Sequence, residues 1–135
     1  MVNATAGQKL QELRNALLTL HKTLLESERV GYEEAIGPIP SPNHFLHLVT
    51  TDPWFAWLRP LSRLIVTLDE TLDAPDAPST AVVDDLVLQV RRLLVASEEG
   101  DGFPRSYFEA LQRDPDVVFA HAGVTAVFRP TLRSS

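Results

Sequence analysis

The chain has 135 residues, a formal charge of -6 and no cysteine. That length suits one domain with a single core, and the absence of thiols excludes disulfide frameworks, thiolate nucleophiles and cysteine metal sites. The charge is unevenly spread: Asp69 to Asp101 holds nine acids against Arg91 and Arg92 alone, a field of the wrong sign for nucleic acid, whose phosphates need a basic stripe.

The first element is a helix from about Thr5 to about Ala35. Leu10, Leu13, Leu17, Leu20 and Leu24 are spaced 3, 4, 3, 4 along it, a heptad seam. Leu18, Leu25 and Tyr32 form a second line beside the seam, so the apolar face is wide enough for a bundle. Gly37, Pro38, Pro40 and Pro42 end this helix. Ser41 and Pro42 then read as the cap and first position of a short helix with Phe45, Leu48 and Val49 inward.

Asp52 and Pro53 repeat that start signal and open a Trp-rich helix running to about Asp73. At about 100° per residue, Trp54, Trp57, Leu58, Leu61, Leu64, Ile65, Leu68 and Leu72 lie on one arc, with Phe55 at its margin. Pro60 lacks an amide donor and crowds the preceding turn, so a kink or restart is expected near Arg59. The polar DAPDAPST segment is a linker. A fourth helix follows from about Thr80 to about Glu99, stopped by Gly100, with Val82, Val83, Leu86, Val87, Val90, Leu93 and Leu94 inward. Pro104 opens a fifth helix carrying Tyr107, Phe108 and Leu111, and Asp114 with Pro115 makes another Asp-Pro start. The run from Val117 to Phe128 suits a strand by propensity. Its helical spacing, and the lack of any partner strand, favour helix. The tail beyond it is left open.

The polar exceptions are the candidate sites. Arg14, His21 and Glu28 recur every seven residues between the two apolar lines, and His121 sits among Val117, Val118, Val124 and Phe128. Convergence of these four residues on a cavity beside Trp54 and Trp57 would make a small-ligand or metal-binding bundle. The plainer reading is a satisfied polar layer that fixes helix register. His44 and His47 are exposed and lack a third ligand, so no metal is assigned. Arg59 and Arg63 suit an anion or the acids of the middle segment. Leu88 and Val95, seven apart on the outer side of the fourth helix, form a tentative self-association surface. No catalytic residue and no cofactor are assigned, because no nucleophile elbow, phosphate loop or His-Glu-x-x-His is present.

Through DPWFAWLRPLS, LHKTLLESERVGYE, EEGDGF, YFEALQRDP and DVVFAHA, the chain resembles a group of short bacterial all-α proteins that carry no transferable activity or cofactor. The expectation is one all-α domain, residues 1–135, a bundle of four to six helices with a long N-terminal helix and a Pro-kinked Trp-rich helix. The first residues lack a signal-peptide pattern and no apolar run approaches a membrane span, so a cytoplasmic location is expected. The leading functional expectation is a non-enzymatic interaction or regulatory module that takes a protein partner or a second copy of itself. Neither nucleic acid nor membrane is an expected partner.

Overall fold

The computed structural model describes residues 2–128, with side chains from Ala6 onward. The tail after Phe128 lies outside the described residues. Among them the helices are α1 (Val2–Ala35), α2 (Pro42–Thr51), α3 (Arg59–Asp73), α4 (Thr80–Leu93), α5 (Gly102–Arg113) and α6 (Pro115–Phe128). A 3-10 segment, Pro53–Leu58, leads into α3, and no strand occurs among these residues. The all-α expectation holds, including helix at Pro115–Phe128.

Helix α1 is about 50 Å long at 1.5 Å per residue, and its seam is the wall on which the bundle is built. Leu10, Leu13, Leu17, Leu20 and Leu24 are all fully buried. They join residues of α3, α4, α5 and α6 in a single core. The second line expected beside them is looser, with Leu18 exposed and Leu25 and Tyr32 half-buried.

Both Asp-Pro starts act as helix caps. Asp52 accepts the Trp54 amide at 2.9 Å, and Asp114 accepts the Asp116 amide at 2.9 Å. The Asp52 start opens a 3-10 segment, which changes which residues face inward. Side chains at i and i+3 eclipse in a 3-10 helix, so Phe55 and Leu58 share the inner side and are buried, while Trp54 and Trp57 are only half-buried. The α-helical reading centred the arc on the tryptophans and left Phe55 at the margin, and the tighter winding reverses that. The restart expected near Arg59 is present, with Pro60 at the start of α3 where a missing amide costs least.

Two further boundaries differ from the sequence reading. Helix α4 stops at Leu93, not near Glu99: Leu94 is its C-cap, and the chain then turns, with the Ser97 amide bonded to the Pro104 carbonyl at 3.0 Å. Val82, expected inward, lies exposed in its first turn. Helix α5 begins at Gly102, whose φ of 61° is the left-handed conformation that glycine adopts without strain. Its buried residues are Phe103, Tyr107 and Ala110, whereas Phe108 and Leu111 are only half-buried.

Candidate functional site

The polar column on α1 does not converge. Residues seven apart on a helix are separated by about 10 Å along its axis, and each member has found a partner at its own level. Arg14 Nε lies 3.1 Å from Asp69 Oδ1 on α3, an ion pair held by charge without an aligned hydrogen bond. His21 Nε2 is 2.7 Å from Ser62 Oγ, also on α3. Glu28 is buried and accepts from Arg113 at 2.7 Å, where the end of α5 meets the C-terminal part of α1. Arg113 also donates to Ser27 Oγ at 3.1 Å. The column is therefore a series of inter-helix ties, two to α3 and one to α5.

The hydroxyl–imidazole pair has the composition of a nucleophile and base, but no carboxylate is hydrogen-bonded to the His21 ring among the described residues. Ser62 Oγ also lies 3.3 Å from the Leu58 carbonyl, so its single proton goes either to that carbonyl or to His21 Nε2, the closer of the two. A base would have to accept the serine proton. Burial lowers the pKa of His21, favouring the neutral ring.

His121 is likewise engaged away from α1. The buried Tyr107 hydroxyl lies 2.6 Å from His121 Nδ1. Desolvation raises the Tyr107 pKa and burial lowers that of His121, so a neutral phenol faces a neutral imidazole. Around this bond the rings of Phe103 and Tyr107 stack at 5.4 Å, and Trp57 packs on Phe103 at 5.2 Å. Trp54 belongs to a different cluster, edge-on to Tyr32 at 5.6 Å, and its buried Nε1 has no acceptor among the described residues. The two tryptophans thus line no common cavity with the column. No group of three His, Asp or Glu side chains suited to a metal ion occurs among the described residues.

The expected association surface also changes. Leu88 and Val95 are exposed, at 42% and 50%, but Val95 lies beyond the end of α4, so the two do not share a helix face. A different face is more continuous. Between Asp116 and Phe128, α6 has no charged residue, and Val118, Phe119, Ala122, Gly123 and Ala126 are all exposed on it. Phe119 is the most exposed large apolar residue of those described, at 74%. Sequence reading missed this face because the helix is apolar all round, so its inner and outer sides could not be told apart. Of the nine acids between Asp69 and Asp101, all but Asp69 are exposed.

No helix among the described residues is long and apolar enough to cross a membrane. Comparison of the chain with family models, with curated proteins and with solved structures found no match.

Proposed function

We propose that this protein is a non-enzymatic helical interaction module that pairs with a second copy of itself through the outward face of α6. The observation that carries the reading is the uncharged, exposed face around Phe119. Contiguous exposed apolar surface of this kind is a mark of an association site. A self-complementary register supports a second copy as the occupant. In a two-fold antiparallel pairing centred between Ala122 and Gly123, each Phe119 faces Ala126 of the other copy, large against small at both ends. The inter-helix ties of Arg14, His21, Glu28 and His121 support a structural role for those residues rather than a catalytic one.

Sedimentation equilibrium tests the reading. The expected result is a dimer that Phe119→Glu converts to monomer and Leu88→Glu leaves intact. A wild-type protein that stays monomeric across the accessible concentration range would overturn it, as would a dimer indifferent to Phe119→Glu.

A further inference from the structure

The described residues include eight arginines, and six of them are committed. Arg14 pairs with Asp69, Arg29 with Glu26 and Glu33, Arg105 with Glu109, and Arg113 with Glu28. Arg59 donates to the Thr50 carbonyl at 2.8 Å, and the Arg91 guanidinium lies 5.6 Å from the Phe128 ring centroid. The other two, Arg63 on α3 and Arg92 on α4, make no ion pair or hydrogen bond among the described residues. Both line the same cleft, about 490 Å³ in volume, between the start of α3 and the end of α4.

In a chain of net charge -6, two free guanidinium groups sharing one cleft call for a reason. Arg92 complements the carbonyl end of α4, where a cation is favoured. Arg63 has no such role, since it lies one turn into α3, near the end that favours anions. Nor do local acids neutralise the pair. Asp85, two turns before Arg92, bonds Gln89 Nε2 at 2.8 Å, and neither it nor Glu70, two turns after Arg63, makes an ion pair with these arginines. The cleft is also lined by Pro60, Leu64 and Leu93, with Thr67 and Gln89. Two guanidinium forks lining one cleft with apolar side chains suit an anionic head group attached to a short apolar body, because each fork can bind a carboxylate or phosphate through two parallel N–H bonds.

We infer that the α3–α4 cleft binds a small organic anion, its carboxylate or phosphate bridging Arg63 and Arg92 and its apolar part resting on Leu64 and Leu93. The inference is independent of pairing through α6, on whose face neither arginine lies. Isothermal titration calorimetry of the full chain with benzoate, phenyl phosphate and inorganic phosphate tests it.

The expected result is saturable 1:1 binding of benzoate or phenyl phosphate, with inorganic phosphate weaker for lack of an apolar part. The tighter of the first two identifies the head group. Arg63→Gln and Arg92→Gln should each weaken binding about tenfold or more, a loss equivalent to about 1.4 kcal/mol. Both side chains are exposed, so circular dichroism should show unchanged folding. Absence of saturable binding with all three probes would overturn the site. So would binding that survives the double variant, or binding that depends on one arginine alone.

Discussion

Glu28 and Arg113, separated by 85 positions in sequence, meet at 2.7 Å and join the C-terminal part of α1 to the last residue of α5. The bond is asymmetric, with the Glu28 side chain 10% exposed and that of Arg113 44%. Removing the arginine strands a buried carboxylate, while removing the carboxylate frees an arginine that water can reach. Arg113→Ala should therefore destabilise by about 1–2 kcal/mol, after allowance for solvent screening, and Glu28→Gln by about 1 kcal/mol or less. Urea denaturation at pH 7.5 measures both. Equal losses would show that Glu28 behaves as a solvated surface group.

Two histidines set the response to acid. Burial holds His21 and His121 below the ordinary imidazole value, about 6.5, which the unfolded chain regains. As pH falls below that value the unfolded state takes up protons that the folded state resists, so stability declines until the pH is below the depressed folded values. Above about pH 6.5 their contribution is complete and flat. Urea midpoints should fall between pH 7.5 and 5.5 for the wild type, and His21→Gln with His121→Gln should flatten that dependence. An unchanged slope in the double variant would assign it to other groups.

The Tyr107 ring and its hydroxyl contribute separably. Tyr107→Phe keeps the stack on Phe103 and removes one hydrogen bond to a half-buried imidazole, at a cost of about 1 kcal/mol. Tyr107→Ala also opens a cavity in the core and should cost about 3–5 kcal/mol. Thermal unfolding of the two variants distinguishes these contributions, and similar losses in both would place the main effect in the hydroxyl.

Gly31 offers a stabilising change. It lies within α1, and a Cβ added there would meet Trp54 Cζ2 at 3.6 Å, ordinary van der Waals contact. Gly31→Ala should raise stability by about 0.5–1 kcal/mol through helix propensity. A fall in the denaturation midpoint would mean that the indole cannot accommodate the methyl group.

Periodicity made the framework legible wherever an element winds at one regular pitch. The leucine seam of α1 and both aspartate caps could be read directly from residue spacing. The Trp segment was misread in detail because its first six residues wind as a 3-10 helix, which moves Phe55 inward and the tryptophans outward. Phe103 was missed as core because helix α5 begins before Pro104, and the end of α4 was misplaced because a turn bonded to Pro104 intervenes. The polar column was legible as an anomaly, but the identities of Asp69, Ser62 and Arg113 as its partners depend on how α3 and α5 dock. The α3–α4 cleft was half visible. Arg63 was recognised as available to an anion, yet its companion is Arg92 on another helix and not its neighbour Arg59, which the Thr50 carbonyl engages.

Helices α3, α4 and α6 all pack on α1. Loss of that helix would bare most of the interior at once, so α3, α4 and α6 should not open one at a time. The slowest-exchanging amides of α3, α4 and α6 should consequently report one common free energy, with α1 as the element whose detachment sets it.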